Sequence, residues 1–210
     1  EPDGIAYAEL VLSTQAHAKI LSVNFEEAMK IKGVLKVIDW RDIDTLKGDN
    51  ALGPIVHDEE AFAKEEVHHH GAVIACVIAE TYKAAQAASR LVVVEYETLD
   101  SCITIQDGIK ANSYFENTRH TLEVGNVRSI DKSELIEVSG DVEIGGQEHF
   151  YLECNSTLAV PHDGNTLLDV YSSTQAPSKT QQYCASASGL KSHQVVCKMK
   201  RMGGGFGGKE

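Results

Sequence analysis

Apolar runs alternate with helix-forming segments through the first half of the chain. A capping-box pair, Asn24 and Glu27, predicts a short helix that runs to about Lys32 and ends at Gly33. Thr81 predicts the start of a second helix, which is rich in alanine. The flanking apolar runs predict strands at 5–12, 20–23, 34–38, 72–79 and 91–96. The order strand–helix–strand therefore occurs twice, and the residues between the two units are predicted to be irregular.

The second half of the chain carries a different pattern. Apolar and polar residues alternate with period two over 135–144, which predicts an amphipathic strand. Apolar runs on either side of 162–165 predict a hairpin. Pro177 and Gly189 mark the two ends of a predicted helix, and a strand is predicted after it at 195–199.

A polar stretch without clear period, 112–121, divides the two patterns. It is the predicted boundary between two domains, 1–115 and 116–210. Helices and strands are mixed in both domains, so the predicted fold class is α+β.

Charge and hydropathy disfavour two kinds of partner. The chain has 210 residues and a net charge of −12, which disfavours nucleic acid because its binding depends on neutralising phosphates. No apolar run approaches the roughly 20 residues that a membrane-spanning helix needs, so a membrane is not expected either. Residue 1 is Glu rather than Met, and we expect the chain to be part of a longer polypeptide.

The chain contains five cysteines and no C-x-x-C pair. An odd number at wide spacings favours free thiols over a disulfide framework, a zinc site or an iron–sulfur cluster. Free thiols are typical of a reducing compartment, so we expect a cytoplasmic protein, with the peroxisome as the alternative.

The most unusual stretch is Gly203–Gly208, five glycines around Phe206. Glycine lets a backbone approach a ligand closely and present several N–H groups to it. The stretch is not a P-loop, because Glu210 stands where Ser or Thr would be. The pattern predicts a loop that faces an anion or a cofactor. A flexible linker is the alternative, and the bulky Phe206 and the preceding strand argue against it.

Three consecutive histidines, His68, His69 and His70, raise the possibility of a metal site. In a strand, His68 and His70 would share a face. Two imidazoles need at least one further ligand, and the neighbouring sequence supplies no Cys and no H-x₃-H pair. Surface histidines without a metal are therefore the favoured interpretation.

Cys154 is considered as a nucleophile, with His149 and His162 as bases by proximity alone. A packed or partly exposed cysteine is the favoured interpretation. Close to it, the stretch 145–153 combines a Gly-Gly turn with Gln147, whose amide can both donate and accept a hydrogen bond without charge.

Several stretches together resemble one family. The motifs at 145–153, 173–175 and 200–210 resemble the start of the molybdopterin-binding portion of the xanthine dehydrogenase–aldehyde oxidase family. Those at 13–20 and 58–63 resemble the α/β hammerhead domain that precedes it in the family. The chain departs from the family at 71–73, where relatives often carry Gly-Gln-Pro.

The resemblance implies a molybdenum hydroxylase. In that family molybdenum is held by the dithiolene of a pterin, not by protein thiolates, and an electrophilic ring carbon is hydroxylated with oxygen from water. The resemblance also implies 2Fe–2S clusters and FAD elsewhere in the parent polypeptide, a homodimer, and oxidation of a purine, hypoxanthine or xanthine, to urate.

The resemblance also implies roles for particular residues. Gln147 would hydrogen-bond an oxygen ligand of molybdenum, and Phe206 and Gly207 would present backbone near the same centre. Glu210 would hydrogen-bond the substrate and favour the xanthine type over the aldehyde oxidase type. The general base is expected beyond residue 210, so we expect the isolated chain to be inactive.

The residues themselves predict that Gln147 and Phe206 share a site. The predicted strands before them both end in glycines, and two loops at one end of a layer could present their donors to one ligand. The alternative is a non-enzymatic domain whose Gly203–Gly208 loop holds a simple anion. An anion-binding module has no need of Gln147 in its motif, which favours the enzyme.

Overall fold

The computed structural model describes residues 4–53, 56–115, 120–126, 129, 131, 133 and 135–210. Within them the strands are β1 Tyr7–Leu12, β2 Ala18–Asn24, β3 Val34–Ile38, β4 Ala51–Leu52, β5 Glu59–Glu60, β6 Glu66–Val67, β7 Val73–Ala79, β8 Val93–Thr98, β9 Thr157–His162, β10 Leu167–Ser172 and β11 Val195–Lys198. The α-helices are α1 Glu26–Met29, α2 Trp40–Thr45, α3 Tyr82–Ser89, α4 Ile105–Lys110 and α5 Pro177–Ser188. None of these helices combines the length and hydropathy that crossing a membrane requires.

The chain divides into two compact units. One consists of Glu1–Ser101 together with His149–Glu210, and the other of Cys102–Glu148. Mixed helix and sheet is found in the first unit, as the α+β prediction requires.

Strand β7 is the centre of the first half of the chain. It pairs antiparallel with β1 on one side and with β3 on the other. Its sequence is apolar without interruption because both of its faces are covered. Ala75 and Val77 pack into one core cluster and Ile74 into another. Helix α3 lies against this sheet, and its N-cap Thr81 accepts a hydrogen bond from the Ala84 N–H at 3.2 Å, as the sequence predicts.

The second core cluster lies under the sheet β6–β2–β8. Ala18 of β2 pairs with Val67 of β6, and both residues are fully buried. This pairing fixes the backbone on either side of Glu66, which has a role below.

The third sheet, β11–β10–β9, carries the second half of the pattern. The predicted hairpin is confirmed by the antiparallel pair β9–β10. Strands β10 and β11 run parallel and are joined by α5, which ends in Gly189 at φ +68° as a left-handed cap. Val170, Ala185 and Val195 form the core between helix and sheet. Residues 199–202 connect the end of β11 to the glycine stretch.

Two helical predictions need correction. Helix α2 lies within a stretch predicted to be irregular, and it starts with a capping box in which Asp39 and Asp42 each accept from a backbone N–H. Helix α1 begins at Glu26 and ends at Met29, earlier than predicted. Asn24 still accepts from the Glu26 N–H at 2.9 Å, but the capping box is absent.

The predicted strand at 135–144 is wrong. These ten positions carry no strand assignment in the structure, and their apolar side chains are exposed, among them Ile136 at 94% and Val138 at 88%. Alternation of apolar and polar residues predicts that one face of a strand is apolar. A strand also needs a neighbouring strand that forms hydrogen bonds with its backbone N–H and C=O groups. No such neighbour is found for it in the described residues. Its unit, Cys102–Glu148, contains α4, which Thr104 and Asp107 cap reciprocally.

Candidate cofactor site

The glycine stretch folds as a closed turn. The N–H of Gly208 donates to the carbonyl of Gly205 at 2.8 Å. Gly204 and Gly207 have φ of +103° and +94°, a region that favours glycine, and Phe206 has φ of +53°. A loop with its own internal hydrogen bond and three left-handed residues has a defined shape, unlike a flexible linker.

Three of the glycines are needed because the loop lies directly on other chain segments. A Cβ on Gly203 would be 2.5 Å from Cβ of Glu153, and a Cβ on Gly208 would be 2.9 Å from the ring of Tyr151. A Cβ on Gly205 would be 2.4 Å from Oε1 of Gln175. The loop therefore packs closely against two segments, 151–153 and 174–175.

Lys209 anchors the loop to the first segment. Its side chain is fully buried, and its ammonium donates to the carbonyl oxygen of Glu153 at 2.6 Å and to the Glu153 carboxylate at 3.0 Å. The ammonium also lies 4.6 Å from the centre of the Tyr151 ring, which adds a cation–π contact. The Gly203 N–H donates to the same carboxylate at 2.9 Å. The hydrogen bond from the Gly203 N–H lowers the pKa of Glu153 most, and the hydrogen bond from Lys209 lowers it further.

Thr174 and Gln175 anchor the loop to the second segment. The carbonyl oxygen of Lys209 accepts from the Gln175 N–H and from the Thr174 hydroxyl, both at 2.9 Å. The Gln175 side chain adds a second hydrogen bond to the loop, because its Oε1 accepts from the Gly207 N–H at 2.9 Å. The motif 173–175 thus holds the loop from the start of α5.

Glu210 lies at the edge of a cleft of about 310 Å³ between the loop and α5. Its carboxylate accepts from Lys179 at 3.2 Å and from the Gln175 amide at 3.5 Å. The side chain remains 47% exposed, so it is accessible to a ligand. That it binds substrate stays a prediction.

Three consecutive donors remain at the tip of the loop. No hydrogen-bond acceptor among the described residues meets the N–H groups of Gly204, Gly205 and Phe206. Gly205 is buried, and buried backbone N–H groups are normally paired, in the protein or with a ligand. The Phe206 ring is 76% exposed next to these donors. The N–H of Gly207, which the family resemblance implies lies near the cofactor, donates instead to Oε1 of Gln175.

Gln147 lies in the other compact unit, in a segment without regular structure, where its side chain is exposed. Its cofactor role and its meeting with Phe206 therefore stay predictions. Cys154 is exposed, and the favoured interpretation that it is not a nucleophile stays a prediction. His162 is bonded to Asp169 at 3.0 Å.

Sequence reasoning missed the three residues that shape the loop. Lys209, Glu153 and Gln175 lie within the motifs at 200–210, 145–153 and 173–175, but the sequence assigns no role to them individually. No local signal predicts the burial of Lys209, because a lysine is rarely buried without a partner and its partner, Glu153, lies 56 positions earlier.

Two family models match the chain, one after the other. Residues 1–100 match the aldehyde oxidase and xanthine dehydrogenase a/b hammerhead domain. Residues 107–210 match the molybdopterin cofactor-binding domain. The chain belongs to the xanthine dehydrogenase–aldehyde oxidase family.

Curated members of the family are similar over nearly all of the chain. The xanthine dehydrogenase of Dictyostelium discoideum is 46% identical over 97% of the chain, and the nicotinate hydroxylase of Emericella nidulans is 43% identical over the same share. The chain spans 15% of the length of each. The solved aldehyde oxidoreductase of Desulfovibrio gigas superposes with a TM-score of 0.83 at 23% identity, over 99% of this chain and 24% of that one.

Family membership confirms the predicted fold, a hammerhead domain followed by the start of a molybdopterin-binding domain. The exact boundary at 115 stays a prediction. The family's cofactor is molybdopterin with molybdenum, and the loop fits such a group: its tip offers neutral backbone donors and glycines that leave room for close approach. Neutral donors fixed in place stabilise charge on a metal-bound oxygen without reorganising.

Proposed function

We propose that this chain is part of a xanthine dehydrogenase, which oxidises hypoxanthine and xanthine to urate in purine catabolism. The observation that carries the proposal is the ordered Gly203–Gly208 loop, with three unused N–H donors at its tip and Glu210 beside it. The relatives that support the substrate are xanthine dehydrogenases, 41–46% identical.

In the proposed enzyme, residues of this chain bind the cofactor and orient the substrate. When bound, the molybdenum cofactor supplies the hydroxylation and the redox chemistry. The N–H groups at the loop tip would hold the cofactor, and the Gln147 amide, which can donate or accept a hydrogen bond, is proposed as a further cofactor ligand. The Phe206 ring excludes water, which strengthens these hydrogen bonds. Glu210 receives or donates a hydrogen bond at the purine edge.

The parts that lie outside this sequence are also proposals. We place 2Fe–2S clusters and FAD elsewhere in the parent polypeptide, as the family resemblance implies, and we propose a homodimer. A cytoplasmic location suits the five free cysteines, since free thiols persist in a reducing compartment.

Steady-state assays on the full-length purified protein test the function. We expect urate to form from hypoxanthine and xanthine, with a higher kcat/KM for xanthine than for nicotinate or a simple aldehyde. A preference for nicotinate would assign the protein to the activity named for the Emericella relative and contradict the proposed substrate.

Glu210→Val is expected to reduce activity on hypoxanthine more than on an aldehyde. A polar group of the substrate that is left without its hydrogen-bond partner in a buried complex costs roughly 1–3 kcal/mol, about 5–150-fold in kcat/KM. A simple aldehyde has no matching polar edge, so its kcat/KM should change much less. The ratio of the two kcat/KM values measures the effect.

Lys179→Met is the control, because Lys179 pairs with Glu210 at 3.2 Å. This variant removes the ion pair and keeps the carboxylate, so it should preserve the preference for hypoxanthine. If Glu210→Val lowers both activities equally, Glu210 does not determine substrate preference.

A further inference from the structure

Three potential metal ligands meet at the edge of the sheet β6–β2–β8. His17 precedes β2, Glu66 is in β6, and His68 follows β6. One ligand atom from each lies within 4.8 Å of the others. The histidine run by itself supplies only His68 to this cluster. The other two ligands are a residue 51 positions earlier and a nearby glutamate, so the spacing of the histidine run alone could not reveal the set.

The hydrogen bonds of His17 fix which nitrogen faces the cluster. Its Nδ1 lies 2.5 Å from the carbonyl oxygen of Asp100, which can only accept, so Nδ1 carries a proton. Its Nε2 lies 2.7 Å from Oε1 of Glu66. In a neutral imidazole that Nε2 is an acceptor, and it then faces another acceptor. Either a second proton or a metal cation must lie between them.

The hydrogen bonds of His17 match those of a histidine that binds a metal ion. Histidines that bind metals usually donate their other ring N–H to a carbonyl or a carboxylate, which orients the ring. The backbone is also held, because Ala18 beside His17 pairs with Val67 between the other two ligands, and both are fully buried. Val67 between Glu66 and His68 is fully buried, whereas the side chains of Glu66 and His68 are 34% and 72% exposed.

The distances are compatible with a small divalent ion. Ligand atoms about 2.0–2.2 Å from a tetrahedral Zn²⁺ are about 3.4 Å apart. Glu66 Oε1 and His68 Nδ1 are 3.4 Å apart, whereas Glu66 Oε1 and His17 Nε2 are closer, at 2.7 Å, and would have to separate. The side chains can move, since His17 and Glu66 are 30% and 34% exposed and His68 is 72% exposed.

We propose that His17, Glu66 and His68 bind one Zn²⁺ ion, with water as the fourth ligand. Imidazole nitrogens and a carboxylate are ligands typical of zinc. The ion would join the start of β2, strand β6 and, through the His17–Asp100 bond, the chain after β8. This site is separate from the molybdopterin loop and does not depend on the proposed function.

Isothermal titration with ZnCl₂ tests the site on the full-length protein after treatment with EDTA. We expect His17→Asn, Glu66→Gln and His68→Asn each to weaken one zinc-binding event by more than about tenfold, the range that loss of even an outer partner produces. His70→Asn is the matched control, because it belongs to the same histidine run but not to the cluster. It should leave that event unchanged.

His68→Asn decides the proposal even if another variant fails to fold, because His68 is mostly exposed and its replacement leaves the core intact. A circular dichroism melt with and without ZnCl₂ supplies the second readout, since binding raises the unfolding midpoint. Unchanged zinc affinity in His68→Asn, or an equal loss in His70→Asn, would overturn the proposal.

Discussion

Gln147→Ala in the full-length holoenzyme is expected to lower kcat by about 10²–10³-fold, about 3–4 kcal/mol, the loss typical of one preorganised donor. The reason is the neutral amide, which can donate to a cofactor oxygen and adjust when that oxygen changes protonation. The side chain is exposed in its own unit and contributes no core, so folding should not change. Single-turnover reduction by xanthine measures the effect directly, with molybdenum content measured in parallel.

Gln106→Ala is the matched control, because Gln106 is an exposed amide in α4 of the same unit. It should retain the wild-type kcat. A Gln147→Ala enzyme that keeps its molybdenum and turns over within about threefold of the wild type would remove Gln147 from the site. Loss of molybdenum at unchanged turnover per metal would instead assign Gln147 to cofactor retention.

Lys209→Met is expected to loosen the glycine loop by roughly 1–3 kcal/mol, about 5–150-fold in the opening equilibrium. Methionine keeps much of the apolar stem but removes the ammonium. The carbonyl oxygen and the carboxylate of Glu153 then lose a donor that is fully buried in the wild type. Hydrogen exchange of the loop peptide measures the change, because the Gly203, Gly207 and Gly208 amides are all bonded in the closed loop.

Lys200→Met serves as the control on the same segment, since Lys200 is exposed. Its loop peptide should exchange as in the wild type. We also expect Lys209→Met to bind less molybdenum, because a loop that is closed for a smaller fraction of the time has a lower apparent affinity. Unchanged exchange in Lys209→Met would show that Gln175 and Thr174 hold the loop without the lysine.

The sequence predicts correctly the helices and strands whose conformation is determined by neighbouring residues. Strand β3 follows a glycine turn and has the predicted bounds, and α5 has a proline at its start and Gly189 at its end. The hairpin β9–β10 was predicted from two apolar runs and a polar turn between them. In each case a few neighbouring residues determine the backbone.

The failures have causes that lie far away in the chain or in another segment. The alternation at 135–144 is real, but whether a strand forms depends on a pairing partner that the pattern does not contain. The buried state of Lys209 depends on Glu153, 56 positions earlier, and the His17–Glu66 contact spans 49 positions. The glycine pattern located the loop, but neither that pattern nor the family resemblance revealed which residues hold it.

The Lys209–Glu153 anchor also constrains the order in which the protein assembles. Contacts among β10, α5 and β11 connect nearby residues, whereas the anchor closes a segment of 56 residues and carries a larger closure entropy. During synthesis, the glycine turn can take its final shape only after β9, β10, α5 and β11 have emerged and docked. We therefore expect the loop to be anchored late in folding, after the local contacts of β10, α5 and β11 have formed.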